Sequence, residues 1–136
     1  MRVFLDNNIL LSAFATRGLC AEMLTLVLAE HELILGEEVL AELERVLRQK
    51  LKVPSKRVAE VTGFLRAQAR VVEAKARPLI KLRDPTDVKI VAEAIAGEAE
   101  ILVTGDRDLL SAKLKLPFPI VTPRGFWEQL RAQRNE

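Results

Sequence analysis

The chain has 136 residues, of which 49% are hydrophobic and 29% are charged, and it carries a formal net charge of +2. These values are typical of one compact domain and exclude a disordered chain or a coiled-coil rod, and no apolar run approaches the roughly 20 residues that cross a bilayer. Asp6 follows only three apolar residues, too early for a secretory signal, so we expect a single soluble, cytoplasmic domain over residues 1–136 with no membrane contact.

The first half of the chain alternates short β-favouring runs with helical patterns. The predicted elements are, in chain order, a strand over 2–5, helices over 9–15 and 21–29, a strand over 33–35, a helix over 37–51, a helix over 55–70 and a strand over 71–72. The helix over 37–51 has the clearest pattern, because its apolar residues recur at helical spacing and share one face. These residues are Val39, Leu40, Leu43, Val46, Leu47 and Leu51.

The second half repeats the alternation after a loop. Asp84-Pro85-Thr86-Asp87 is typical of a helix start, with a capping acid, proline at the first helical position and a second acid in the first turn. The predicted elements are a loop over 74–83, a helix over 84–96 closed by Gly97, a strand over 101–103, a short helix over 107–112, a strand over 119–121 and a helix that begins after Pro123.

Strands that alternate with helices predict an α/β fold, in which a central, mainly parallel sheet of four or five strands is covered on both faces as a three-layer α/β/α sandwich. The loops that leave the carboxyl ends of parallel strands open on one edge of the sheet, and ligands bind there. Asp6 ends the first strand, and Asp106 follows the strand over 101–103. If both strands are central, their carboxylates reach the same edge.

The cysteine and histidine counts exclude several kinds of catalytic site. Cys20, the single cysteine, cannot form an internal disulfide or a cysteine-based zinc cluster, and we interpret it as a buried thiol in a helix. His31, the single histidine, lies between two glutamates, and we interpret it as a solvated turn residue. A Ser-His-Asp or Cys-His mechanism would have to depend on His31. The chemistry must therefore come from carboxylates, amides, hydroxyls and basic side chains.

Two converging carboxylates need a positive partner, because at a separation of about 4 Å they repel by roughly 1 to 4 kcal/mol. A hard divalent cation such as Mg2+ or Mn2+ suits a set of oxygen ligands. A second interpretation stays open, since Asp6, Asp84 and Asp106 each precede a predicted helix and fit the role of helix caps. Glu42 and Glu44 border opposite margins of the apolar face of their helix, so periodicity does not choose between them.

Taken in order along the chain, these residues resemble the PIN domain, and the similarity runs from Arg2 to about Trp127. The segments that carry it are Phe4-Leu5-Asp6-Asn7-Asn8-Ile9-Leu10, Leu102-Val103-Thr104-Gly105-Asp106 and Ile120-Val121-Thr122-Pro123-Arg124-Gly125-Phe126. The chain is most similar to the stand-alone, VapC-type PIN proteins that form the toxin component of toxin–antitoxin pairs. Asn7 is a departure, because the family often has Thr or Ser at this position.

The resemblance implies a set of site residues and a function. The metal ligands and catalytic residues fall on Asp6, Glu42, Asp87 and Asp106, with Asn8, Thr104, Asp84 and Asp108 as supporting residues. The resemblance thereby selects Glu42 over Glu44. It implies a ribonuclease that depends on Mg2+ or Mn2+, with an RNA substrate and a small antitoxin as a partner, in a homodimer or a higher homo-oligomer.

The charge balance is consistent with an anionic substrate, since the rest of the sequence carries +6 when the four proposed ligands are set aside. We expect the loop bases Arg17, Arg83 and Arg107 to flank the site and bind RNA. Two alternatives remain. One is a PIN fold retained for binding without turnover. The other is a phospho-acceptor regulatory domain, which needs an acceptor Asp after its central strand and a Lys after a later strand, and neither position is evident.

Overall fold

A computed structural model describes residues 1–76, 78 and 80–134 of the chain. The predicted loop over 74–83 and the predicted domain over 1–136 include residues 77, 79, 135 and 136, which lie outside the described residues. The elements are β1 (Arg2–Leu5), α1 (Asn7–Ala15), α2 (Leu19–Glu30), β2 (Glu32–Gly36), α3 (Glu37–Arg45), a π-helical turn (Val46–Lys50), α4 (Ser55–Gln68), β3 (Arg70–Val72), α5 (Pro85–Ala96), β4 (Ile101–Val103), α6 (Arg107–Ser111), β5 (Ile120–Val121) and α7 (Pro123–Arg134).

The five strands form one sheet in the order β3-β2-β1-β4-β5, and every neighbouring pair is parallel. Val3, Phe4 and Leu5 of the central strand are all fully buried. Successive residues of a strand point to opposite faces, so both faces of the sheet are covered, as is usual for an all-parallel sheet. The predicted α/β fold with a covered parallel sheet is confirmed.

The predicted helix over 37–51 is wrong in its last turn. The α-helix ends at Arg45, and the following π-helical turn closes with a hydrogen bond from the N–H of Leu51 to the carbonyl of Val46. Leu51 was predicted on the buried face, but it is 51% exposed. The apolar side chains of this segment pack into the hydrophobic core only as far as Leu47. Periodicity therefore located the helix but not the change in its hydrogen bonding.

The N-terminus of α3 is capped from another helix. Gly36 precedes α3 and has no side chain to cap it, and Glu93 of α5 takes this role instead. The Glu93 carboxylate is only 3% exposed and accepts the N–H of Glu38 through Oε2 at 2.9 Å and Oε1 at 3.2 Å. A Cβ at Gly36 would lie 1.9 Å from Oε1 of Glu93, so any other residue here would displace the Glu93 side chain. This contact ties α3 to α5.

Cys20 is half-buried on α2, as its interpretation as a helical thiol implies. His31 follows the end of this helix, but it is half-buried and its Nδ1 is buried without a hydrogen-bond partner among the described residues, so its interpretation as a solvated residue is wrong for this atom. Within the described residues, no single helix is both long enough and apolar enough to span a bilayer, although α1 and α2 meet such a test as a pair that is bent by 107°.

Candidate metal centre

The site is built where the two central strands end. Leu5 of β1 pairs in register with Val103 of β4, so Asp6 and Thr104 leave the sheet side by side. The N–H of Asp6 donates to the carbonyl of Val103 at 3.0 Å, and the Thr104 hydroxyl donates to Oδ2 of Asp6 at 2.8 Å. The parallel pairing of these strands therefore brings together residues that are 98 positions apart in the sequence.

Asn8 joins the same two chain segments. Its Nδ2 donates to Oδ2 of Asp6 at 3.3 Å, and its Oδ1 accepts the N–H of Gly105 at 3.1 Å. The Thr104 hydroxyl oxygen also accepts the N–H of Asp106 at 3.0 Å. Both polar residues predicted to support the acids thus contact Asp6, and Thr104 also contacts the backbone of Asp106. These contacts fix the side chain of Asp6 and the backbone of Asp106 relative to each other.

Three of the acids are also helix caps, so the capping interpretation is correct. Asp6 caps α1 by accepting the N–H of Asn7, Asp84 caps α5, and Asp106 caps α6. In Asp84 and Asp106 the cap uses Oδ1, which accepts an N–H at 2.9 Å in each case. The second oxygen of Asp84 and of Asp106 is therefore not used by the cap, so capping orients these two side chains and still leaves an atom that can bind a cation.

Asp87 lies in the first turn of α5 and is buried among other carboxylates. Burial raises the pKa of Asp87 to about 7, and the negative charges of Asp106, Asp84, Asp6 and Asp108 add to this increase. Burial also raises the pKa of Asp6, with a smaller contribution from Asp106. Hydrogen bonds from Thr104, the Asn7 backbone and Asn8 oppose that shift. The acids therefore repel one another in a partly desolvated space, and a bound cation would relieve the repulsion.

The tightest group of acids contains Asp108, which the sequence placed among the supporting residues. One carboxylate oxygen from each of Asp87, Asp106 and Asp108 lies within 4.8 Å of the others. Asp108 is exposed and lies in the first turn of α6, one residue beyond Arg107. The geometry therefore makes Asp108 a candidate ligand in its own right.

Glu42 lies across the cleft on α3 and is held by Arg45. The guanidinium donates to Oε2 of Glu42 at 3.1 Å and to Oε1 at 2.5 Å, and this contact lowers the pKa of Glu42. Glu44 instead pairs with Arg48 at 3.1 Å. Glu42 is the one of these two glutamates that lines the cleft together with the aspartates. Sequence reasoning missed Arg45, although its i+3 spacing from Glu42 is a signal for such a pair.

A cleft of about 360 Å³ connects these groups. Its lining residues are Asp6, Asn7, Asn8, Glu42, Arg45, Asp84, Thr86, Asp87, Ile90 and Asp106. The four predicted ligands all line it, whereas the exposed Arg17, Arg83 and Arg107 are not among its described lining residues. A larger depression of about 560 Å³ lies nearby between α3 and α5, but it is lined by lysines as well as glutamates. Convergence of carboxylates, rather than volume, identifies the site.

The residues present fit a divalent metal ion. The donors are carboxylate oxygens with neighbouring amide and hydroxyl groups, which is the set that Mg2+ and Mn2+ prefer. Asp6 and Asp87 are only 2% and 5% exposed, and a buried carboxylate requires a compensating charge to stay ionised. The acidic cluster is therefore able to hold such an ion.

The fold and the site together define a parallel α/β domain with an acidic cleft, suited to a metal ion, at the carboxyl edge of its sheet. The family model described as "PIN domain" matches residues 2–108. The chain therefore belongs to the PIN domain family. No curated protein sequence matches it.

Two solved structures share the fold. One is VapBC2 from Rickettsia felis bound to a DNA fragment from its promoter, which matches with a TM-score of 0.66 and 17% identity over 90% of this chain and 98% of that chain. The other is VapBC-1 from nontypeable Haemophilus influenzae, with a TM-score of 0.55 and 18% identity over 78% of this chain and 87% of that chain.

Proposed function

We propose that this protein is a metal-dependent endoribonuclease and the toxin component of a toxin–antitoxin pair of the VapC type. The observation that carries the proposal is the arrangement of Asp6, Glu42, Asp87 and Asp106 around one cleft at the end of the central strands. Such a carboxylate set can support hydrolysis of a phosphodiester without a catalytic histidine, since it can position a cation and a water molecule.

Each side chain has a role that its surroundings support. Asp87 and Asp106, with Asp6 beside them and Asp108 within reach, would hold Mg2+ or Mn2+. When bound, the ion would supply Lewis acidity at the scissile phosphate and would lower the pKa of water. Thr104 and Asn8 keep Asp6 oriented through their hydrogen bonds.

Glu42 and Arg45 of α3 also line the cleft. The pKa of Glu42 is lowered by its contact with Arg45, so its carboxylate is ionised at neutral pH and can accept a hydrogen bond from an attacking water molecule. Arg45 fixes the orientation of this carboxylate and is the cation among the described lining residues of the cleft. A phosphate entering the cleft would therefore meet one guanidinium as well as the metal ligands.

The partners follow from the family and the similar folds. Both compared structures are of VapBC proteins, which supports a small antitoxin partner for this chain. We further propose a homodimer or a higher homo-oligomer, and action in the cytoplasm, where RNA is available as the substrate.

The decisive experiment compares two glutamates of the same helix. Purified protein is incubated with end-labelled single-stranded RNA and Mg2+ or Mn2+, and Glu42→Gln is compared with Glu44→Gln as its matched control. We expect the wild type and Glu44→Gln to cleave, and Glu42→Gln to be slower by a factor of about 100 or more. Cleavage that continues in EDTA, or an equally active Glu42→Gln, would contradict the proposal.

Metal titration of the same samples separates turnover from binding. Calorimetry with Mn2+ should show saturable binding to the wild type and weaker binding to Asp106→Asn. Saturable binding without any RNA cleavage would instead indicate a PIN fold that binds and does not turn over.

A further inference from the structure

One short stretch of the chain carries a dense excess of positive charge. Residues 45–57, here called the basic segment, contain six cations and no acid. They are Arg45, Arg48, Lys50, Lys52, Lys56 and Arg57. The rest of the sequence has fifteen cations against nineteen acids, so outside the basic segment the chain is net negative. An acidic cleft alone would repel a polyanion, and the basic segment can offset this repulsion.

The basic segment begins inside the cleft and leads away from it. Arg45 lines the cleft, and the π-helical turn follows it directly in the chain. Lys50 is the last residue of this turn, five positions beyond Arg45, so the lysines of the segment begin one turn from the cleft. A strand of nucleic acid that leaves the cleft on this side would therefore pass over the basic segment.

Three lysines of the basic segment are available for a ligand. Lys50, Lys52 and Lys56 are exposed and form no ion pair with the described residues, whereas Arg45, Arg48 and Arg57 pair with glutamates. Lys52 has a positive φ of 55°, a conformation that is costly for a residue with a side chain and that concentrates at functional positions. The π-helical turn is also a feature that recurs at functional sites.

We propose that the basic segment binds the phosphodiester backbone of the RNA substrate as it leaves the cleft, with contacts from Lys50, Lys52 and Lys56. This inference rests on the proposed ribonuclease function and adds the path of the strand. Because these contacts are made to phosphates, they act on affinity without reading the base sequence.

The test measures how RNA affinity depends on salt. Fluorescence anisotropy with a labelled single-stranded RNA is recorded in Asp106→Asn, which limits cleavage during the measurement. The triple variant Lys50→Gln/Lys52→Gln/Lys56→Gln is compared with Lys113→Gln/Lys115→Gln/Arg131→Gln, a matched loss of three exposed charges outside the basic segment. Each lost phosphate contact lowers the slope of log affinity against log salt by about 0.7 for a single strand, so we expect a reduction of about 2.

The basic-segment variant should also bind RNA about 10- to 100-fold more weakly near 0.1 M salt, while the control stays like its parent. Equal slopes and affinities in the two triple variants would overturn the inference. An unchanged salt slope for RNA in the basic-segment variant would also overturn the inference, and would point to a different ligand for the three lysines. The cleavage assay on wild-type protein is read separately. Failure of cleavage refutes the proposed function, whereas an unchanged slope in a protein that cleaves refutes only the path of the strand.

Discussion

Glu93→Gln tests how the buried cap between α5 and α3 responds to pH. Two effects oppose each other at this carboxylate. Burial disfavours its charge, while the backbone N–H groups of Glu38, Val39 and Glu37 favour it. Burial is the larger effect, and it raises the pKa of Glu93 from 4.5 to about 7. Glutamine keeps the size of the side chain and an acceptor oxygen but cannot titrate, so it isolates the contribution of the proton.

The sign follows from linkage between protonation and folding. The pKa of Glu93 is higher in the folded than in the unfolded chain, so the folded state binds more protons between pH 4.5 and about pH 7. The stability that Glu93 contributes is therefore complete below pH 4.5 and is lost as pH rises through about 7. Each tenfold difference in proton affinity corresponds to about 1.4 kcal/mol, so the loss between about pH 5 and about pH 8 is roughly 2 to 3 kcal/mol.

The assay is urea unfolding in EDTA, monitored by the fluorescence of Trp127. This residue is the single tryptophan and is half-buried on α7. The free energy of unfolding is measured at about pH 5 and about pH 8 for the wild type and Glu93→Gln. The difference between the two proteins removes the titration of Asp87, which also has a pKa near 7. We expect the pH-dependent loss to be smaller in Glu93→Gln by about 2 to 3 kcal/mol. Identical pH dependence in both proteins would show that the N–H groups fully offset burial.

Three further predictions concern the site and its support. Thr104→Val removes the hydroxyl bonded to Asp6, so the affinity for Mn2+ in calorimetry should fall about 10- to 100-fold with an unchanged circular dichroism spectrum, and an unchanged affinity would contradict the role of this contact. Gly36→Ala should lower the free energy of unfolding by about 1 to 3 kcal/mol because its Cβ meets Glu93. Gly63→Ala on α4 meets nothing within 4 Å and should be neutral or stabilising, so equal losses in these two variants would refute the steric explanation. Mn2+ should raise the melting temperature more at about pH 8 than at about pH 5, because protons compete for Asp87, and equal shifts would exclude that competition.

Much of the architecture could be predicted from local patterns. The helix-start motif Asp84-Pro85-Thr86-Asp87 and the short apolar runs are local signals. The structure contains the helix and the strands that they predicted. The parallel alternation also predicted that Asp6 and Asp106 reach one edge of the sheet, where they line a common cleft. Local sequence was sufficient for features that depend on neighbours in the chain.

The parts that sequence missed depend on contacts between distant segments. Periodicity left Glu42 and Glu44 equal, because both lie beside the apolar face of α3 and only the position of α5 distinguishes them. Nothing in the sequence distinguishes Glu93 from an ordinary helical residue, because its cap contact is made with α3, a distant segment of the chain. The switch to a π-helical turn after Arg45 has no signal in hydrophobic spacing, since the apolar residues continue at helical intervals.

The pairing of β1 with β4 has a consequence during protein synthesis. The first strand emerges from the ribosome early, but its partner at Ile101–Val103 follows only after three quarters of the chain has been made. A truncated translation product that stops before β4 has Asp6 without Thr104 or Asp106, so it cannot assemble the cleft. The proposed nuclease activity therefore cannot arise until about three quarters of the polypeptide has been made.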